Sequence, residues 1–183
     1  WAAMKVAVST PQLSGMADGV KVALLINDRE SRQALVGKIE EWGGTADEYP
    51  TAAKAMDMFG ATRYDLIVVH WQVYPGQKAS DPKVRELAAM IPVVKFNRNV
   101  LYWETALRVI DTIRMDPSPN RATPLMVIFP NLGLSSFESG DQLARESVES
   151  DLASRQPATL IAEASRDKVV ERLAQNIAAA RSG

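Results

Sequence analysis

The sequence predicts an α/β protein built on a doubly wound parallel sheet, and three observations carry that prediction. Leu66, Ile67, Val68 and Val69 make a short unbroken apolar run, which a strand covered by helices on both faces requires. Residues 124–129 (PLMVIF) make a second run of the same kind. Between Val20 and Val69, strand-like and helix-like segments alternate with short connections, the β-α-β-α-β order of a parallel sheet with crossover helices.

Taken in order, residues 4–9 (MKVAVS) alternate briefly as a short strand would, and residues 11–19, with Pro, Ser and two Gly, read as linker. Residues 1–19 are therefore expected to be a linker or short N-terminal strand, and 20–183 the domain. Residues 20–26 (VKVALLI) read as the first strand, ending at Asn27-Asp28. A helix over about 29–42 follows, with Leu35, Val36, Ile39 and Trp42 on one face and Gly43-Gly44 closing it. Residues 45–49 are a weak strand, and Thr51 is the expected N-cap of a small helix through Ala55, Met56 and Met58 to Gly60. The strand at 66–69 stops at the polar pair His70-Trp71, and the chain leaves through Pro75-Gly76, a turn dipeptide.

After Gly76 the regularity breaks. Asp81-Pro82 opens a short helix over about 83–90, and residues 91–96 (IPVVKF) are a candidate extra strand. Residues 100–115 form an amphipathic helix with Leu101, Ala106, Leu107, Ile110 and Ile113 at helical spacing. The strand at 124–129, a polar helix over 135–154 anchored by Leu143, Val148 and Leu152, a short strand at 158–162 and a helix over 166–181 complete the chain. Two readings stay open. Either about 77–99 is an insertion after the third strand of a five-stranded sheet, or IPVVKF makes the sheet six-stranded.

Composition narrows the function classes. The chain has 183 residues, 46% hydrophobic and 23% charged, with net charge −1, an ordinary globular balance with length enough for a sizeable core. No basic field points to nucleic acid. The absence of cysteine excludes disulfides, thiolate metal sites and cysteine nucleophiles. No apolar run approaches the roughly 18 residues of a membrane span, so no membrane contact by this domain is expected. Trp1-Ala2-Ala3 shows neither an initiator Met nor a signal-peptide pattern, and reads as a remnant of preparation or the cut end of a longer protein. The expected setting is cytoplasmic.

Residues 64–76 (YDLIVVHWQVYPG) resemble the third strand of response-regulator receiver domains, which reads Tyr-Asp-Leu-Ile, further apolar residues, the phosphoaccepting Asp, and a Pro-Gly a few residues on. Asn27-Asp28 stands where receivers carry an acidic pair that holds Mg²⁺. Residues 102–124 (YWETALRVIDTIRMDPSPNRATP) are similar to the third receiver helix and the loop after it, and 158–173 (ATLIAEASRDKVVERL) to the fifth strand and final helix. The N-terminal MKVAVSTPQLSG also resembles the linker between the ATP-binding domain of a hybrid histidine kinase and its receiver. The resemblance implies a flavodoxin-like receiver fold and a place in a phosphorelay of two-component signal transduction. It also implies a protein partner, a histidine kinase core or another receiver domain, with a small regulatory ligand as a further candidate.

The sequence departs from that pattern at the chemistry. His70 replaces the phosphoaccepting Asp, Asn27 one of the two acids, Phe129 or its neighbour Pro130 the Ser or Thr that senses the phosphoryl group, and Glu163-Ala164 the Lys-Pro pair. Phosphoryl transfer to a receiver needs a carboxylate nucleophile, a held Mg²⁺ and a cation that neutralises developing charge. The expectation is a pseudo-receiver with no catalytic residue, no metal and no cofactor, whose degenerate pocket is Asn27, Asp28, His70, Phe129 and Glu163. The alternative is a flavodoxin-like nucleotide- or cofactor-binding protein or enzyme with an unrecognised site. Against it stand the missing Gly-rich loop and the lack of a nucleophile paired with a base.

Individual residues have competing readings. His70, the only histidine, is better read as a polar residue filling a vacated pocket than as a phosphohistidine or metal ligand, because a lone His makes poor zinc chemistry. Asp28 directly precedes a helix and is better read as its N-cap than as a metal ligand. Trp71 and Tyr74 are candidate partner contacts, against simple loop packing, whereas Trp42 and Trp103 lie on helix faces and read as core. Ser135-Ser136 before Glu138 reads as a helix start. Finally, His70 and Glu163 replace an Asp–Lys pair with the signs exchanged. If they meet, His70 should titrate above its reference of about 6.5.

Overall fold

Ile67 and Val69 face one side of the sheet and Leu66 and Val68 the other, and all four are fully buried. Burial on both faces is what makes this run continuous instead of alternating. The computed structural model describes residues 14–76, 98–129, 145–162 and 165–182. In chain order the elements are β1 (Lys21–Leu25), α1 (Arg29–Glu41), β2 (Thr45–Tyr49), α2 (Ala52–Ala61), β3 (Leu66–His70), α3 (Arg98–Arg114), β4 (Leu125–Ile128), α4 (Arg145–Ala153), β5 (Ala158–Ile161) and α5 (Arg166–Ser182). The strands pair in parallel in the order β2-β1-β3-β4-β5, which is the doubly wound sheet the sequence predicts. The 4–9 strand, the 83–90 helix, the IPVVKF strand and the helix start at Ser135-Ser136 lie outside the described residues.

Each face has its own apolar layer. Helices α2, α3 and α4 cover one with Ala55, Phe59, Trp103, Ile110, Ile113, Val148 and Leu152, against Ala23, Leu25, Ile67, Val69, Leu125 and Val127. Helices α1 and α5 cover the other with Leu35, Ile39, Leu173 and Ile177, joined by Trp42 just beyond α1, against Val22, Leu24, Leu66, Val68, Met126 and Ile161. Trp42 and Trp103 are core, as their helix positions predict. Among the described residues no helix is long and apolar enough to cross a membrane.

Residues 14–19 form a turn packed on the domain. The Ala17 N–H donates to the Trp42 carbonyl at 2.8 Å, and Arg181 in the last turn of α5 donates to the carbonyls of Gly15 and Met16, both at 2.7 Å. Gly43 turns the chain at φ +95°, where a Cβ would meet the Asp18 carboxylate at 1.9 Å.

Thr51 occupies the N-cap of α2 as expected, but its hydroxyl makes no capping bond. The first two helix amides, Ala52 and Ala53, donate instead to the carbonyls of Tyr74 and Pro75 at 2.9 and 3.0 Å. These are orphan helix donors satisfied from another part of the chain.

At the amino end of the sheet, buried Asn120 ties two connections together. Its Oδ1 accepts from the Tyr64 N–H at 2.8 Å, and its Nδ2 donates to the carbonyls of Phe59 and Thr62 at 2.9 and 2.8 Å. Arg114 donates to the carbonyls of Thr123 and Pro157, both at 2.7 Å. Asn120→Ala would leave buried groups unpaired, so urea unfolding should show a loss of about 2–4 kcal/mol. A loss under about 0.5 kcal/mol would mean that water replaces these bonds freely.

Candidate functional site

The strand order reverses between β1 and β3, since β2 lies outside β1 while β4 and β5 lie outside β3. At such a switch point the connections diverge and leave a crevice at the carboxyl ends of the strands. Asn27-Asp28 follows β1 and His70 closes β3, so the topology brings these predicted residues to the crevice.

Asp28 caps α1. Its Oδ2 accepts from the Ser31 N–H at 2.9 Å and from the Ser31 hydroxyl at 2.6 Å. The hydroxyl bond and then the amide bond hold its carboxyl below the usual range, with smaller contributions from His70 and Arg166. Asn27 faces β2's exit, its Nδ2 donating to the Pro50 carbonyl at 3.1 Å.

His70 is half-buried at the end of β3. Its Nδ1 lies 3.4 Å from the Gln72 N–H, a long hydrogen bond. Burial pushes the imidazole down to about 4, with the charge of Asp28 opposing this only in part. The direction is opposite to the raised value expected of a pair with Glu163, because desolvation outweighs the charge of Asp28. Glu163, the other member of the proposed exchanged pair, and Pro130 lie outside the described residues.

Phe129 is buried, and its ring packs edge-on against Trp71 at 5.6 Å. Two apolar rings therefore stand beside the end of β3. Trp71 is only 4% exposed and belongs to the core with Val73, which corrects its reading as a partner contact. Tyr74 is 36% exposed, and its ring stacks on Tyr102 of α3 at 4.4 Å.

One residue at the crevice escaped the sequence reading. Arg32 of α1 is buried, its Nη1 donating to the carbonyls of Ile26 and Asn27 at 2.8 and 3.1 Å and its Nε to Glu48 at 2.9 Å. A signal existed, since Arg32 precedes Leu35 and Ile39 at the helical spacing of the buried stripe.

The residues present do not fit the Mg²⁺ that the resemblance implies. Mg²⁺ wants several hard oxygen ligands. Here Asp28 is engaged by Ser31, Asn27 supplies an amide, and His70 a nitrogen ring. Among the described residues no three His, Asp or Glu side chains are placed to share an ion.

No protein-family model and no curated protein matches the sequence. Solved structures do. A receiver domain of a Francisella response regulator is 16% identical with a TM-score of 0.53, covering 90% of this chain and 100% of its own. The receiver domain of a sensor histidine kinase from Pseudomonas aeruginosa, with a magnesium ion in its active-site cleft, is 12% identical with a TM-score of 0.53, covering 88% and 98%. The receiver domain of a histidine kinase from Arabidopsis thaliana, complexed with Mg²⁺ and BeF₃⁻, is 13% identical with a TM-score of 0.53, covering 95% and 97%. The fold is the receiver fold. Within it, the end of β3 carries an imidazole.

A folded-state value near 4, below the ordinary 6.5, means that the unfolded chain binds this proton more readily. The contribution to stability is complete above about 6.5, falls as pH drops from about 6.5 to about 4, and levels off below. An NMR titration of His70 should show a midpoint near 4. His70→Gln should remove this part of the acid destabilisation. A midpoint above 6.5 would reinstate the exchanged-pair expectation.

Proposed function

We propose that this chain is a pseudo-receiver, a non-catalytic module of two-component signalling that acts by binding a protein partner. The observation that supports this most is the half-buried imidazole of His70 at the end of β3, with a folded-state value near 4. A half-buried neutral ring offers no carboxylate to accept a phosphoryl group and no anionic ligand for Mg²⁺. Asn27 and the buried Phe129 support the same reading, because neither supplies the charge or hydroxyl that the chemistry uses.

The partner is a histidine kinase core or another receiver domain in the cytoplasm, and a hybrid histidine kinase is the parent that the N-terminal resemblance suggests. The module would hold one surface in place where a phosphorylated receiver alternates between two. A small ligand at the strand ends is a weaker reading, since Trp71 and Phe129 already pack on each other there.

Incubation with acetyl phosphate and Mg²⁺ should leave the intact mass unchanged, and Mg²⁺ at millimolar concentration should not move the melting temperature. A stoichiometric mass gain of one phosphoryl group would sink the proposal.

A further inference from the structure

The alternation of β3 does not end with the strand. Val69, Trp71 and Val73, two residues apart, all enter the same apolar layer and are buried, so the loop leaving His70 is anchored by its side chains. That loop then supplies the acceptors for α2, the Tyr74 and Pro75 carbonyls taking the Ala52 and Ala53 amides. Gly76 closes it at φ +79° against Thr51, where a Cβ would stand 2.4 Å from the Thr51 hydroxyl oxygen. Tyr74 lies nearly parallel to Tyr102, at 14°, and so joins the loop to α3. From the other side, Asn27 holds the turn before α2 through the Pro50 carbonyl.

We propose that the 71–76 loop and the N-terminus of α2 form one mechanical unit that couples the crevice at His70 to the helix pair α2–α3. Whatever displaces His70 or Trp71 shifts the Tyr74 and Pro75 carbonyls, which among the described residues are the acceptors of the first two amides of α2. Because Thr51 makes no cap of its own, the helix has no local substitute for them. A displacement at the crevice is therefore passed to α2 and α3, which place Phe59 and Ile110 in one apolar layer. The coupling holds whether or not the crevice accepts a phosphoryl group, so it stands or falls separately from the pseudo-receiver reading.

The test is reciprocal. In Tyr102→Ala, which removes the stack from α3, amide exchange by NMR should accelerate about ten-fold at Ala52 and Ala53. The His70 ring resonances should shift, while core amides such as Ile67 and Leu125 keep their rates. In His70→Ala, exchange at Ala52 and Ala53 should accelerate likewise. Met115→Ala, at an exposed position just beyond α3, should change neither. Tyr74→Ala keeps the capping carbonyl and removes only a partly exposed ring, so it serves as the milder variant if Tyr102→Ala does not fold. Wild-type rates at Ala52 and Ala53 in these variants, or acceleration shared equally by the core amides, would overturn the proposal.

Discussion

Between Leu66 and Val69 the backbone of β3 pairs with β1 on one side and β4 on the other, while its side chains are shut off from water on both faces. A strand in that position tolerates no polar side chain along its length. Polarity can begin only where cover ends, and here it begins at His70. The same burial then sets the state of that residue. An imidazole partly withdrawn from water loses more hydration on protonation than Asp28, an exposed carboxylate already engaged by Ser31, can return. Position and charge state of the one histidine thus have a common cause.

Much of the fold was legible because two-sided burial leaves a plain signature, continuous apolar strands between amphipathic helices. The strands ending at His70 and Ile128 were read from that pattern, and α1 from its stripe of Leu35, Ile39 and Trp42. Asn27, Asp28 and His70 were legible as strand-end residues for the same reason. The sign of the His70 shift was not, because the sequence shows which residue types stand at the positions of a resembling motif and nothing about desolvation. Trp71 could have been placed correctly. Its spacing from Val69 and Val73 is that of an extended chain with one buried face, and the turn signal at Pro75-Gly76 masked it. The capping of α2 was beyond reach, since backbone carbonyls 22 residues away carry no mark in the sequence of the helix they serve.

The crevice also carries a cation of its own. Arg32 reaches back from α1 to the carbonyls of Ile26 and Asn27, and Glu48 neutralises it from β2. These bonds fix the β1 exit from behind, and Asn27 fixes it sideways through Pro50. A loop already held by protein groups has little need of an external ion to order it. An ion would also gain little there, because Asp28, the carboxylate between Asn27 and α1, already gives its Oδ2 to the helix cap, and Mg²⁺ wants several hard oxygen ligands. The arrangement favours one stable geometry over two that differ by a bound charge. Strand-end loops tied to one another in this way respond as one body, which suits the docking role proposed above better than a switch driven by a bound charge.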